Sequence, residues 1–461
     1  NENEEAKEAL VFMLVAINGS WKIPVGYFLS HSLNSEQKLG LLKQCLFLVK
    51  SVGIEISNIT FDGCATNLSM ASALGCSFSP SNLKTNFGEE NILLLLDPSH
   101  MMKLIRNTFG DKRRIVDGEN NVIDFKYLEL LNELQENEGL HLANKLRRRH
   151  INFFKQKMKV ALATQLLSRS VSEALTFCRD ILQLDQFKNC GATATFILNI
   201  NDAFDILNSR RIKEFGYKQA LNKYNINQVK TFVNCFTSYI SKLRFFNKDL
   251  IIHSPRKTGF IGFVAGLHAV LNIYEQYVVG DGGTSILQYL PTYKCSQDHL
   301  ENFFFQIRNL GGCNNNPTTR QFKSAYKKLL IYAEINHSGF GNCVPLEQVN
   351  ILTCSSRIKK LENIINSDQL ILTSDVQVTQ ESDVNFEHNY FFTQESLTNF
   401  CEEVVIYIAG FVAFKLAKSL KCEICISCLF GIKENLLGSF VDFKSKGGLS
   451  YPSDDVIAIC L

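Results

Sequence analysis

No run of apolar residues reaches the roughly 18 that a membrane-crossing helix requires. The longest candidate, Val404 to Leu416, is interrupted by Gly410 and Lys415 and predicts a core helix instead. Charge of one sign is also scarce. With 48 Lys and Arg against 45 Asp and Glu, the net charge is +3, which argues for a nucleic-acid partner only if a local basic patch exists. Fifteen cysteines in 461 residues are too sparse for a disulfide scaffold. With no signal peptide ahead of them, the expectation is reduced thiols in the cytosol or nucleus. A Gly-rich phosphate loop of the Walker type is missing, so any nucleotide site would be unconventional. No internal repeat is evident. What remains is a globular composition, 46% hydrophobic with a mean hydropathy of −0.01. The length predicts about two to four domains, each with ample core.

The first hundred residues carry the clearest pattern. Ala9 to Ile17 is apolar, Asn18-Gly19 follows, and Trp21 to Leu29 is apolar again. Asn-Gly between two such runs predicts a β-hairpin, with Pro24 on an edge strand or at a bulge. Ser35 to Val52 predicts a helix with Ser35 as its cap, its apolar face made of Leu39, Leu42, Cys45, Leu46 and Val49. Ile54 to Phe61 predicts a strand delivering Asp62 at its carboxyl end. A helix from about Asn67 to Leu74 follows, then a buried strand, Ile92 to Leu96, delivering Asp97. Hairpin, helix, strand with terminal acid, helix, strand with terminal acid is the order of the middle of a ribonuclease-H-like domain. In such a domain the hairpin follows a first strand bearing its own Asp. Asn1 to Glu8 is short and acidic, so the expectation is a chain that begins one strand late.

Far along the chain, Glu301 lies in Ser296-Gln297-Asp298-His299-Leu300-Glu301, the start of a Phe-rich helix. A carboxylate at a buried strand end and another on a distant helix are how a two-metal nuclease or transferase site is assembled. Hard divalent cations need oxygen ligands to clamp the attacking and leaving oxygens. The plainer alternatives are an Asp62 that caps the following helix and a Glu301 solvated in a first helical turn, favourable with the dipole. Asp97, with His100 and Lys103, either supports the site or is an ordinary turn Asp before Pro. Arg106 and Lys112-Arg113-Arg114 are candidate phosphate contacts or a solvated basic face.

The sequence resembles the P-element transposase family, including the THAP-domain transposase-like proteins of animals. The resemblance runs through Glu8 to Met13, Gly19 to Phe28, Phe61-Asp62-Gly63-Cys64-Ala65-Thr66-Asn67, Leu96 to His100, Lys103 to Asn107, Ser296 to Glu301 and Tyr407 to Val412. It implies a cut-and-paste DNA transposase with a ribonuclease-H-like core, interrupted before its last catalytic acid by a helical insertion that binds GTP. Carried over, Asp62 matches the second catalytic Asp and Glu301 the Glu, both as ligands of Mg²⁺. The first Asp, the zinc-coordinating DNA-end domain and the oligomerisation segment would precede residue 1.

Residues 115–245 show helical periodicity, clearest in Tyr127 to Glu136, Leu140 to Arg149, Phe153 to Leu167, Ser170 to Leu182 and Thr193 to Asn208. Lys145 to His150, with Lys155, Lys157 and Lys159, is a basic run suited to phosphates or an exposed helix face. The resemblance makes Asn201, Phe204 and Asp205 the candidate nucleotide contacts, with Phe204 either stacked on a purine or packed in the core. From Leu243 the pattern becomes mixed sheet and helix, including the apolar segment Phe260 to Tyr274 and a Gly280-Asp281-Gly282-Gly283 turn. Asn309 to Thr319 predicts a surface loop, and Ser367 to Ser396, polar and acidic, a linker or disordered segment. Cys422, Cys425 and Cys428 suggest zinc, but two separated pairs are the usual structural site, so buried free thiols are expected.

The reading is therefore an α/β, ribonuclease-H-like core split by an all-helical insertion, with a small helical C-terminal domain. The expected divisions are 1–114 and 246–335 for the core, 115–245 for the insertion, 336–396 for a linker and 397–461 for the C-terminal domain. The expected function is Mg²⁺-dependent DNA strand cleavage and transfer in the nucleus, by a homo-oligomer when full length. The competing readings are a catalytically inactive, transposon-derived DNA- or protein-binding protein, and a nucleotide-binding helical protein without nuclease chemistry.

Overall fold

The computed structural model describes residues 5–85, 92–280, 285–331, 334–335, 349–350, 398–431, 439–445 and 447–460. Strands β1 (Glu8–Val15) and β2 (Lys22–Ser30) form the expected antiparallel hairpin. Its register slips between Phe12 and Met13, which pair with Gly26 and Pro24, so Val25 is the extra residue of a bulge. Pro24, which has no ladder donor, sits beside it as expected. Helix α1 (Ser35–Ser51) is capped by Asn34 rather than Ser35, in a capping box with Gln37. Leu42, Leu46 and Val49 are its buried stripe.

Strand β3 (Asn58–Phe61), helix α2 (Ala65–Ala73) and strand β4 (Leu93–Leu96) form a parallel pair with its crossover. All four leucines of β4 are buried, the composition of a strand covered on both faces. Helix α3 (Pro98–Lys112) follows at once, capped by Asp97 and started by Pro98. Among the described residues no ladder joins the β1–β2 and β3–β4 sheets. Residues along β1, β3 and the inner face of α1 instead line one cavity of about 600 Å³.

The next stretch is not wholly helical. Strands β5 (Arg114–Val116), β6 (Val122–Asp124) and β7 (Arg244–Phe245) form a small antiparallel sheet in the order β6-β5-β7. These strands are two or three residues long, too short to show period-2 alternation. Between them lie α4 (Lys126–Asn137), α5 (Arg148–Ile151), α6 (Val160–Leu166), α7 (Arg169–Asp180), α8 (Gly191–Leu207) and α9 (Ile226–Lys242). The helices expected over Leu140 to Arg149 and Phe153 to Leu167 are broken. Gly139 takes a φ of +71° just after α4, a left-handed helix stop. Arg147 and Lys159 are extended, and Phe153 turns into the core against Phe125. Tertiary burial of one aromatic outweighs local helical preference.

The apolar segment after β7 is helix α10 (Thr258–Tyr274), buried on nearly all sides against α3, β4, α8 and α9. A Cβ on Gly262 would lie 2.3 Å from Met101 Sδ, so glycine permits the close approach of α10 to α3. Helices α11 (Asp298–Leu310) and α12 (Thr319–Ile331) build a second core, in which Phe303, Ile307, Phe322 and Tyr326 pack on Val11 of the hairpin. Strands β8 (Glu334–Ile335) and β9 (Val349–Asn350) pair antiparallel. The Ser367 to Ser396 linker and Asp281 to Gly283 of the glycine turn lie outside the described residues.

Helices α13 (Asn399–Ala417), α14 (Glu423–Ser427), α15 (Ser439–Lys444) and α16 (Asp454–Cys460) complete the fold. Phe440 stacks edge-on with Tyr407 and Phe177, fastening α13 and α15 to α7. Cys422, Cys425 and Cys428 flank and enter α14, whose short turn leaves all three exposed. They are surface thiols rather than the buried ones expected.

Candidate active site

Parallel pairing sets the site. Phe61 is level with Leu96 in the β3–β4 register, so Asp62 and Asp97 leave adjacent strands at the same end. The Asp97 amide donates to the Phe61 carbonyl at 3.0 Å, extending the pairing one residue. This is the carboxyl edge of a parallel pair, where α/β folds gather their functional groups.

Asp62 is half-buried. Its Oδ1 accepts from the Cys64 amide at 3.1 Å and from Asn67 Nδ2 at 2.8 Å. Lys38 of α1 donates to Asn67 Oδ1 at 3.0 Å and to Thr66 Oγ1 at 2.9 Å. Burial pushes the Asp62 carboxyl up, but the Cys64 hydrogen bond and the His100 and Lys38 charges outweigh it and hold it below the usual range. The Cys64 amide and Asn67 both fall on Oδ1, and the Cys64 thiol adds a further hydrogen bond to the carboxylate. His100 is pushed down by burial and Lys103, against the pull of Asp62.

Asp97 is a different carboxyl. It is buried, its Oδ2 accepts from the His100 amide at 2.8 Å, and its Oδ1 accepts from the Gln297 amide at 3.0 Å. Burial, with the nearby Asp298 carboxylate, pushes it up to about 7. Asp298 is buried as well. It accepts from Ser99 Oγ at 3.1 Å and lies 3.9 Å from Arg210 Nη2. Asp97 thus has a structural role, as weighed from sequence, but as the cap of α3 and its tie to the N-terminus of α11 rather than as a simple turn residue.

Glu301 is exposed in the first turn of α11, its amide bonded to the Gln297 carbonyl at 3.0 Å. Gln297 therefore links Asp97 on one side to the turn carrying Glu301 on the other. Sequence reasoning singled out neither Asn67 nor Asp298 as a partner of the site. Asn67, in the first turn of α2, and Asp298, three residues before Glu301, carry that information only once the strand end and the helix are neighbours.

The donor chemistry suits a hard divalent cation, since both candidate ligands are carboxylates with accessible oxygen. Among the described residues, however, no group of three or more His, Cys, Asp or Glu side chains is placed to share one ion.

The nucleotide candidates lie apart, on α8. Asn201 Oδ1 accepts from the Arg169 amide at 3.1 Å, and its Nδ2 donates to Asp202 and Asp205 at 3.0 Å each. Arg169 grips both oxygens of Asp202 at 2.6 and 2.8 Å. Burial pushes Asp205 up to about 6, opposed by Lys218. Phe204 packs against the main core.

Of the candidate phosphate contacts, Arg106 needs correction. Arg106 is fully buried, its guanidinium 4.2 Å from the Phe153 ring centroid and bonded to the Lys157 carbonyl at 3.0 Å. Arg113 pairs with Glu129, and Arg114 with Asp124 at 2.8 Å. In the basic run His150 is buried against Gln165 at 2.7 Å, and Lys157 pairs with Asp111 at 3.2 Å. Lys145, Arg148 and Arg149 stay exposed, as the solvated face weighed for this run from sequence.

A parallel strand pair with acids at its carboxyl edge, tied through Gln297 to the helix that bears Glu301, fits a ribonuclease-H-like core. Residues 1–75 match the family described as TNP-like, RNase H N-terminal domain, and residues 293–327 its RNase H C-terminal counterpart. Residues 99–220 match the TNP-like, GTP-binding insertion domain, and residues 396–461 the C-terminal domain of DNA transposase THAP9. The matched domains and the relatives below support a P-element transposase-like family for the chain. It is 29% identical to human DNA transposase THAP9, over its whole length and 51% of the relative. It is 27% identical to the Drosophila melanogaster Transposable element P transposase, over 94% of the chain and 54% of the relative. The chain thus spans about half the length of these relatives. The solved Drosophila P element transposase strand transfer complex shares the fold, with a TM-score of 0.60 and 24% identity over 71% of this chain and 70% of that one.

Proposed function

We propose that this chain is the core of a P-element-type DNA transposase, built for Mg²⁺-dependent strand cleavage and transfer on DNA. The observation that carries the reading is the junction of Asp62, Asp97 and α11: two strand-end carboxyls in register, with the helix bearing Glu301 docked on one of them through Gln297. Asp62 and Glu301 would hold Mg²⁺, which when bound clamps the attacking and leaving oxygens. Asn67 and Cys64 orient Asp62, and Lys38 orients Asn67. Asp97, largely protonated at acidic pH, positions α11 and adds little charge of its own there. The nucleophile would be water or a DNA 3′-hydroxyl.

In this reading, residues 115–245 are an insertion between core segments 1–114 and 246–335. The small sheet supports this, because it brings 114–124 and 244–245 together and closes the helical block on itself. GTP would bind there through Asn201, Phe204 and Asp205. The location is nuclear and the full-length protein homo-oligomeric. The segment 336–396 would link the core to the C-terminal module.

The lack of a three-donor cluster among the described residues favours a second reading, a catalytically inactive, transposon-derived DNA- or protein-binding protein. Cleavage of terminal-repeat DNA by the full-length protein, with and without Mg²⁺, decides between them. Asp62→Ala and Glu301→Ala should each abolish cleavage. Undiminished cleavage in either removes that residue from the mechanism, and inertness of the unmutated protein selects the second reading.

A further inference from the structure

Three thiols of the C-terminal module take no part in the site described above. Cys422, Cys425 and Cys428 recur at every third position along α14, and all are exposed. Among the described residues no three such side chains are placed to share a metal ion, which leaves the chemistry of sulfur with sulfur. The fold sets these thiols apart from the interior ones. Burial pushes Cys178 and Cys295 up to about 12 and Cys190 up to about 11, so they stay protonated and inert at neutral pH. Cys422 departs the other way. The Cys425 amide, and after it the Cys425 thiol, donate to its sulfur and hold it below the ordinary cysteine value. The same thiol–thiol bond pushes Cys425 up.

Backbone geometry decides which pair can join. A disulfide needs Cβ atoms about 3.5–4.5 Å apart, whereas residues three apart on a helix hold theirs at about 5–6 Å. Cys425 and Cys428 are both on helical backbone, Cys428 at φ −68° and ψ −16°. Cys422 precedes the helix on extended backbone, at φ −89° and ψ 116°, so the helical spacing does not bind it and it reaches the Cys425 thiol. Beyond α14, the Leu429 carbonyl accepts the Ser453 amide at 3.0 Å, and the Gly431 amide donates to the Tyr451 carbonyl at 3.1 Å. A staple in α14 therefore adjoins the segment that packs on Gly410 of α13.

We propose that Cys422 and Cys425 form a reversible oxidation site, which a small-molecule disulfide such as oxidised glutathione converts to an intramolecular Cys422–Cys425 bond. The Cys422 thiolate attacks one sulfur of the small disulfide, whose S–S bond breaks, and the departing thiolate takes up a proton. Cys425 then gives its proton to water and attacks the Cys422 sulfur, releasing the second small thiolate, which is protonated in turn. The two protein thiols lose two electrons and two protons, and the small disulfide gains both. Cys428 stays a free thiol. The site is separate from Asp62 and Glu301, so its oxidation does not depend on cleavage.

Trypsin cuts after Lys421 and Lys433, which places all three cysteines in one peptide. The protein is equilibrated in buffers running from reduced to oxidised glutathione, its free thiols are blocked with iodoacetamide, and the peptide is weighed. In oxidising buffer it should carry a single alkyl group, on Cys428, and be two hydrogens lighter across Cys422 and Cys425, a change that dithiothreitol reverses. Cys428→Ser should leave the bridge intact. Cys425→Ser should stop at a persistent glutathione adduct on Cys422. In reduced Cys425→Ala, iodoacetamide should modify Cys422 several-fold more slowly than in the parent, because the thiol donor is gone and less thiolate is present. All three side chains are exposed, so the variants should keep their fold, as their circular dichroism will show. Three alkyl groups in oxidising buffer, a bond through Cys428, or glutathione adducts that persist in the parent overturn the proposal.

Discussion

Asp97 Oδ1 accepts the Gln297 amide at 3.0 Å, a bond across 200 residues of sequence that seats the start of α11 on the carboxyl edge of β4. Because Asp97 is also the cap of α3, one buried side chain fixes two helices relative to one strand. That arrangement sets where Asp62 and Glu301 stand.

Burial and Asp298 raise the folded-state value of Asp97 to about 7, above the roughly 3.9 of an unfolded aspartate. A raised carboxyl favours the folded state below the unfolded value, and that contribution fades as pH rises through the folded one. Between about pH 4 and 7, Asp97 should therefore lower stability as pH increases. Asp97→Asn should flatten that part of the profile while keeping one acceptor. Asp205 acts in the same direction and His299 in the opposite one, so the measurement is the difference between parent and variant in urea unfolding. A difference independent of pH refutes the assignment. Asp97→Ala should cost about 1–3 kcal/mol for each amide it orphans, those of His100 and Gln297.

Asn67 and Lys38 should matter to metal use without touching the metal. Asn67→Ala removes the 2.8 Å bond that orients Asp62. Loss of such a supporting partner lowers metal affinity or activity by about 10–100-fold. Calorimetric titration of Mg²⁺ into the full-length protein, parent against Asn67→Ala, reads this directly. Equal affinities count against Asp62 as a ligand.

Arg106 should behave as a core residue. Its guanidinium is buried against Phe153, and burial pushes it down to about 10. Arg106→Ala should destabilise by about 2–5 kcal/mol, as large-to-small core changes do. Arg106→Met, which keeps the packing volume, should cost far less. Neither should change the salt dependence of DNA binding. A flatter salt slope in Arg106→Met would reinstate it as a phosphate contact.

Gly410 marks a very close approach in the C-terminal module. A Cβ there would lie 2.3 Å from the Ser450 carbonyl oxygen, a backbone atom that cannot swing aside. Gly410→Ala should destabilise by about 1–3 kcal/mol or displace the Ser450 segment from α13. Hydrogen exchange should show faster amides in α13 and α16, with those of β3 and β4 unchanged. Uniform exchange would mean the module absorbs a methyl group.

Much of the site was legible in the chain because strong local rules coincide there. Asn18-Gly19 between apolar runs yields a hairpin, and apolar runs ending in Asp62 and Asp97 yield strand ends. The Leu140 to Leu167 stretch was less legible. Its helical pattern is real, but Gly139 stops one helix and burial of Phe153 breaks the next. Arg106 and His150 look like part of a basic face, and only packing reveals that both are interior.

Local chemistry alone therefore determined the strand ends, the hairpin, the helical character of the middle and the residue types available to the site. Hydrophobic periodicity and turn residues act over a few positions, so they can be read from neighbours in sequence. Only the tertiary structure decided that Asp97 is a buried strut rather than a charged ligand, and that Lys294 anchors the turn carrying Trp21. Burial and charge depend on distances between residues far apart in the chain, and those distances exist only in the folded protein.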